Sequence, residues 1–516
     1  MNLEEKSTRP LVRPIAVLVA FYNRKALGVR YLETALERAG YVVHTIFYKD
    51  FNSVHPTSTT PAELELLREE VEQARPVLVG LSVMSSMYLD TVYQVMDALR
   101  PLPFPLVCGG AYATMFPRPL LERGARFVIR GDGEAALVRL TRALDRGGDW
   151  RDIPSLCWRE GEEVRENPIG DLAADVDRYG LPAVRCRDAC LIDRDRLVRG
   201  DPQLSTRSYE VIASRGCPFT CSYCCCVNLR RLLPPGVPGV RTRSVDSVIA
   251  ELRLAKQHCK KLVFVHFYDE IFPNLPGWVD DFCAQYTRHI HLPFTIWSHP
   301  RMVTPQLLGK LKGAGLTEVI MGIQSGSERV RREVFHRYES QEEILRAVTA
   351  IRRAGVWGSF DFMLQHPFET PEDLQASYRL IRSFPSPYEL QLHGLNFLPG
   401  TDIADMALEQ GIFTRQELDQ IMYAPMQVQF GAYWRREVSP ESQAWYDMIF
   451  CWQFPSLRPW LRRWEEDPLA HAASLTSCVR LARAFSRLRY LRKKGRVVLR
   501  RLTGSAVTSS LFRPGG

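Results

Sequence analysis

From residue 12 to 148, short apolar runs alternate with amphipathic stretches. The runs 15–20, 42–46, 77–81, 106–108 and 127–129 are largely apolar, whereas 28–39, 61–73, 87–99 and 134–146 repeat at helical spacing. Apolar runs of this kind predict strands buried on both faces, and helices between them predict a parallel sheet covered on both sides. Five such units suit a doubly wound α/β fold with ligands at the carboxyl ends of its strands. The pattern lapses over 149–205, which is rich in Asp, Arg and Pro and reads as a linker with one short strand at 153–158.

A second series runs from 206 to 410. Strands are expected at 209–213, 262–267, 294–297, 318–323, 360–364 and 390–397, with helices such as 245–256 and 342–354 between them. Six βα units in roughly 200 residues fall short of the eight in about 250 residues of a complete barrel. A partial (βα)6 barrel is expected, with reactive side chains at the carboxyl ends of its strands. Residues 411–516 read as a helical C-terminal region. Its aromatic clusters at 433–434, 445–446 and 460–464 either cap the barrel mouth or fill core.

Composition adds limits. A chain of 516 residues implies two or three domains. With 24% charged and 46% hydrophobic residues it has the balance of a soluble globular protein. No run of about 18 uncharged apolar residues is present, and Met1–Lys6 lacks the order of a secretory signal. Thirteen cysteines, an odd number without such a signal, point to a reducing cytoplasm.

The net charge of +9 is unevenly placed. No acidic residue follows Asp467, while eleven Lys and Arg lie between Arg480 and Arg513, so the first 467 residues carry 9 − 11 = −2. A near-neutral body gives no reason to expect nucleic acid. The basic tail reads as a solvated terminus, with weak contact to a membrane surface as its alternative role.

The chemistry concentrates at Cys217, Cys221 and Cys224, in the run Arg215-Gly216-Cys217-Pro218-Phe219-Thr220-Cys221-Ser222-Tyr223-Cys224. A [4Fe–4S] cluster normally takes four thiolates; three leave one iron open to a substrate or cofactor. A tetrahedral zinc would need a fourth ligand, with Cys186, Cys190 or Cys225 as candidates. Zinc loops, however, usually come as paired Cys-x-x-Cys knuckles.

This Cys-x-x-x-Cys-x-aromatic-Cys run, with Tyr223 as the aromatic, resembles the signature of the radical S-adenosylmethionine (SAM) superfamily. The chain from about 12 to 410 is similar to its cobalamin-binding branch in motifs and domain order. The resemblance implies a Rossmann-like cobalamin-binding domain ahead of the partial barrel. It also implies three cofactors: a [4Fe–4S] cluster on Cys217, Cys221 and Cys224, SAM, and cobalamin. Tyr223, Asp269, Glu270, Gln324, Ser325 and Glu369 fall in segments similar to the family's SAM contacts, among them His266–Phe272 and Met321–Arg329. Gln324 replaces the usual Glu, and Gln365 and Phe368 replace glycines.

For cobalamin, Gly80–Ser85 and Gly109–Thr114 resemble the loops that clasp the nucleotide tail, with Ser82, Ser85, Gly109, Gly110 and Tyr112 as contacts. The Asp-x-His-x-x-Gly motif that supplies a lower histidine to cobalt is absent, and Tyr112 stands where many relatives have His. The expected activity is transfer of a methyl group from methylcobalamin to an unactivated carbon, less often phosphorus, of a small molecule, by way of a 5′-deoxyadenosyl radical. An external donor such as a flavodoxin or ferredoxin would supply the electron. Oxidative cyclisation or ring rearrangement with the same cofactors is the first alternative, and a sensor without turnover the second. A methylthiotransferase is disfavoured, because Cys108 is the one cysteine before residue 150.

Overall fold

The computed structural model describes residues 13–52, 56–170, 172–433 and 438–503. The chain divides into two compact units. One comprises residues 1–206, 224–260 and 397–431; the other comprises 207–223, 261–396 and 432–516.

The first unit is built on a nine-stranded sheet. Its five central strands, Ile15–Phe21, Val42–Tyr48, Val79–Ser82, Leu106–Gly109 and Phe127–Ile129, are mutually parallel. In spatial order they run fifth, fourth, third, first, second, so the sheet reverses its winding between the first and third strands. Period-two alternation then builds a core on each side. Val17, Val19 and Phe21 join Leu67, Val71, Val92 and Val95 from the helices Pro61–Ala74 and Leu89–Leu99. Ala16, Leu18 and Ala20 join Val29, Leu36, Leu137 and Leu140 from Leu27–Arg38 and Glu134–Arg146. The helix Pro61–Ala74 starts where the pattern places it because Thr60 and Glu63 form a capping box ahead of Pro61.

The segment 149–205 is not a linker. Leu156–Glu160 pairs antiparallel with Phe127–Ile129 and turns back through Glu163–Glu166, extending one edge. Asp188–Asp193 pairs parallel with Val42–Tyr48 and turns back through Arg196–Arg199, extending the other. These strands are half exposed and rich in charge, which hides them from a search for apolar runs. Arg30 and Asp201, both fully buried, join this region to the domain through paired contacts of 2.8 Å.

The second unit holds six parallel strands: Ser208–Val211, Phe264–Phe267, Phe294–Ser298, Leu316–Gln324, Trp357–Met363 and Glu389–His393. They lie side by side in chain order, the order a barrel requires, since every right-handed crossover then falls on one face. Phe267 packs on Phe272, Phe282 and Tyr286, with Phe282 and Tyr286 on the helix Pro276–His289. Phe360 packs on Phe384 and Tyr388. These aromatics mark the convex, helix-covered face.

The expected C-terminal region, 411–516, is divided between the units. Residues up to 431 belong to the first, where Met426 enters the core, and those beyond belong to the second. In the second, Trp445 and Trp452 on Pro440–Trp452 pack on Tyr378 of Pro371–Arg382, so these aromatics fill an outer layer. Within the basic run, Arg489 donates to Gln453 Oε1 (3.0 Å) and lies over the Phe454 ring. The tail from 504 onward and Trp434 lie outside the described residues. Among the described residues, no helix is long and apolar enough to cross a membrane.

Candidate active site

The cysteine loop leaves the first barrel strand and is clamped at its root by Asp269. This buried carboxylate accepts through Oδ1 from Ala213 N (2.9 Å), Ser214 N (2.6 Å) and Ser214 Oγ (2.7 Å). Three donors on one oxygen fix the direction in which the loop departs. Asp269, expected as a contact to SAM, thus commits one oxygen to the loop itself, while its neighbour Glu270 is exposed.

Further along, Ser222 N donates to Phe335 O (3.1 Å) and Ser222 Oγ to Val334 O (2.5 Å). Phe219 stacks on the His299 ring at 3.7 Å, and Tyr223 meets Phe335 edge-on. Cys217 is partly exposed and Cys221 nearly buried; Cys224, also partly exposed, opens the helix Cys225–Arg231. The alternative zinc ligands Cys186 and Cys190 are buried in the first unit, Cys186 beside the Arg30 guanidinium and Cys190 beside His44.

A buried ionic group, unread in the sequence, surrounds Cys221. Arg337 Nη1 stands 3.8 Å from Cys221 Sγ and 3.3 Å from the Tyr223 hydroxyl. Its Nη2 donates to Gly322 O (2.6 Å) and its Nε to Glu339 Oε1 (2.7 Å). Glu339 also faces His299 Nε2 at 3.3 Å. Burial alone would raise the Glu339 pKa, but His299 and Arg337 outweigh it and hold the carboxyl at about 2. Burial pushes His299 below its ordinary value. A fixed cation beside a thiol favours the thiolate that iron requires, so the loop fits a cluster. The signal was the short run His336-Arg337-Tyr338-Glu339, charged residues packed against the cysteine loop from a distant part of the chain.

Three SAM candidates lie around the same strand ends. Gln324 has φ +71°, and its amide folds over Gly322, where a Cβ would stand 2.5 Å from Gln324 Nε2. Its Oε1 is buried without a partner among the described residues. Glu369 accepts from Gln365 N (2.6 Å) through Oε2, whereas its Oε1 is buried and has no hydrogen-bond partner there. Burial raises its pKa to about 8, so it is largely protonated at neutral pH. Such orphaned polar atoms are what a bound polar cofactor would satisfy. Ser325 differs: fully buried, its Oγ accepts from Ser327 N (3.2 Å), and the neighbouring Gly326 packs so tightly on Ser377 that a Cβ would meet backbone at 2.3 Å. Ser325 Oγ also lies 3.4 Å from Ser377 Oγ on Pro371–Arg382, so its contacts are with the loop and that helix.

In the first unit the cobalamin candidates line the carboxyl ends of the third and fourth strands, beside the reversal in winding where ligands bind such sheets. Gly110 has φ +104°, and a Cβ there would stand 2.7 Å from Val83 O. Together with Val83 N donating to Gly109 O (2.7 Å), this shows that the glycine pair brings the two loops together. Ser85 caps the turn Ser86–Tyr88 by accepting from Met87 N (3.3 Å), and Ser82 is half-buried at its strand end. Ser86 Oγ is buried with no partner among the described residues, leaving a free hydroxyl for a polar ligand. Tyr112 lies in the core, its ring tilted against Phe116.

Residues 14–141 match the model of the B12 binding domain, and residues 211–381 match that of the radical SAM superfamily. An uncharacterized methyltransferase of Pyrococcus horikoshii is 24% identical over 347 residues, spanning 66% of this chain and 72% of the relative. The anaerobic magnesium-protoporphyrin IX monomethyl ester cyclase of Cereibacter sphaeroides is 25% identical over 365 residues, spanning 68% of this chain and 55% of the cyclase. Among solved structures, the radical SAM methyltransferase TsrM of Kitasatospora setae, with cobalamin and a [4Fe–4S] cluster bound, aligns with a TM-score of 0.60 at 20% identity. That alignment covers 77% of this chain and 75% of TsrM.

Proposed function

We propose that this chain, which belongs to the cobalamin-binding branch of the radical SAM superfamily, is a methyltransferase acting on an unactivated carbon of a small molecule. Its cofactors are a [4Fe–4S] cluster, SAM and cobalamin. When bound, they supply reductive cleavage of a sulfonium and a transferable methyl group. The observation that carries the proposal is the presence in one chain of the three-cysteine loop and a complete B12-binding sheet.

The residues of this chain hold and shield. In our reading, Cys217, Cys221 and Cys224 are the cluster ligands. Asp269, Ser222 and Phe219 fix the loop that carries them, and Arg337 places a positive charge beside Cys221. Gln324 and the neutral carboxyl of Glu369 offer hydrogen bonds to SAM without adding a negative charge near the thiolates. Ser82, Ser85, Ser86 and the Gly109–Gly110 backbone are assigned to cobalamin. An external flavodoxin or ferredoxin is the proposed electron donor, since reducing a sulfonium requires a cluster potential at the low end of the known range.

Methyl transfer is placed ahead of cyclisation because the chain spans 72% of the methyltransferase relative and 55% of the cyclase. The cyclase reading keeps support from its match over 365 residues. Methyl-labelled SAM separates them: methyl transfer puts label in the product, and cyclisation gives an unlabelled one. A sensor without turnover is rejected when anaerobically reconstituted protein releases 5′-deoxyadenosine from SAM.

A further inference from the structure

The concave face of the six-stranded sheet carries side chains that the cofactor assignments leave unused. Successive side chains on a strand point to opposite faces, and Phe267 and Phe360 mark the convex one. His266, Tyr268 and Asp361 therefore face inward. Just past the second strand and on the third the wall is aromatic: Tyr268 and Trp297 lie 6.1 Å apart between ring centroids. His266 beside them is tied by Nδ1 to Thr295 Oγ1 at 2.8 Å. On the fourth and fifth strands the wall turns acidic. Ser359 donates to Glu318 Oε1 (2.5 Å), and Asp361 follows two residues later on the same face.

Asp361 is the unusual member. It is only 7% exposed, and its Oδ1 has no hydrogen-bond partner among the described residues. His393 Nε2, on the next strand, stands 3.7 Å away, beyond hydrogen-bond reach. The register pairs Asp361 with Gly322 on one side and Gln391 on the other. Gly322 brings no side chain, and the Gln324 amide folds over it, its Nε2 2.5 Å from where a Cβ would stand, so the carboxylate lies beside the Gln324 side chain. A buried carboxylate oxygen without a hydrogen bond is expensive to keep, and Asp361 itself has no cofactor role in the assignments above.

We infer that Asp361 is the specificity-determining anchor for a nitrogen-bearing substrate. The group it takes is an amine, an amidine or a protonated heterocycle, whose charged N–H donates to Oδ1. The Tyr268–Trp297 wall would receive a flat apolar portion of the same molecule. This deepens the methyltransferase reading and rests on it: the substrate is a cationic or N–H-rich small molecule, not a bare hydrocarbon or an acid.

The test uses the holoenzyme, reconstituted with cluster and cobalamin, and three probes of matched shape. These are 2-phenylethylamine, 2-phenylethanol and phenylacetate, with binding read by ligand-observed saturation-transfer NMR. The amine is expected to bind best and phenylacetate least. Asp361→Asn is expected to weaken amine binding about tenfold, the scale of losing one charge-assisted hydrogen bond, and to leave the alcohol unchanged. Iron and cobalamin content and the melting temperature report whether the variant is intact. If it is not, the order of the three probes on the wild type still decides.

Phenylacetate binding as well as the amine, no amine binding at all, or undiminished amine binding by an intact Asp361→Asn protein would each overturn the inference. Binding is measured without turnover, so an unlabelled product from methyl-labelled SAM would sink methyl transfer while leaving the amine preference standing.

Discussion

The two sheets of this chain are both parallel, yet they present function in opposite ways. In the first unit the winding reverses, helices cover both faces, and the inner strands give nearly all their side chains to two cores. What remains for a ligand is loop backbone and small hydroxyls at the strand ends: Gly109, Gly110, Ser82, Ser85 and Ser86. In the second unit the strands keep chain order and helices cover one face, so every other side chain points away from the helices. Glu318 and Asp361 belong to that set, and Gln324 follows at the end of the fourth strand. A sheet buried on both sides recognises with its loops; a sheet buried on one side also recognises with its strands.

The sharpest break in that comparison is Cys221→Ala. Loss of one thiolate beside Arg337 should abolish the [4Fe–4S] signal in electron paramagnetic resonance and with it all release of 5′-deoxyadenosine. Cobalamin content should survive, because Cys221 belongs to the second unit and the cobalamin candidates to the first. Equal loss of cobalamin would show that the two cofactors are not held independently.

Next in size is Glu339→Ala. Removing one partner of a buried ion pair costs about 3–5 kcal/mol, here by stranding Arg337 beside the cysteine loop. Urea unfolding and iron content should both fall. A pH series sharpens the cause. The folded Glu339 pKa, about 2, lies below its ordinary value of 4.5, so its contribution is present above about 4.5 and is lost as pH falls toward 2. Glu339→Gln should lack that acid limb; an unchanged limb would place the acid sensitivity elsewhere.

Legibility in the sequence follows the same division. The five central strands and their helices were readable because burial on both faces writes continuous apolar runs. The two edge hairpins in 149–205 were not, since half-exposed strands such as Arg196–Arg199 carry charge at the positions that a period search treats as loop. Spacing alone picked out Cys217, Cys221 and Cys224. It missed His299, Arg337 and Glu339, because this buried ion group joins two segments far apart in the chain, and the run His336–Glu339 shows its partner only once folded. Asp269 and Ser325 were noticed as polar residues in the right segments, but only the structure shows that their hydrogen bonds go to the protein's own backbone.

Glu369→Gln is expected to act more gently. The folded carboxyl titrates near 8 against an ordinary 4.5 because burial disfavours its charge. The native state therefore binds more protons than the unfolded chain between those values, and stability declines as pH rises through them. The decline is at most about 1.4 kcal/mol per pH unit. Glutamine carries no such charge, so melting temperatures measured from pH 6 to about pH 9 should fall for the wild type and stay flatter for the variant. Equal slopes would show that Glu369 ionises freely in the folded protein.

The smallest effect separates packing from ligand contact at Tyr112. Its side chain is buried, and its hydroxyl meets that of Tyr93 on Leu89–Leu99 and that of Tyr423, from the segment beyond residue 397 that belongs to the first unit. If that hydroxyl serves the core, Tyr112→Phe should lower stability by about 1 kcal/mol, the worth of one neutral hydrogen bond, and leave cobalamin retention through gel filtration unchanged. If it reaches cobalamin, retention should drop while the melting temperature holds. The first outcome is expected, because the Tyr112 ring packs on Phe116, and Phe116 in turn lies against Gly400, where a Cβ would stand 2.9 Å from its ring. A side chain walled in by two later segments of the chain has little freedom to turn toward a ligand, whereas Ser86, with an unpaired hydroxyl one loop away, needs no rearrangement to meet one.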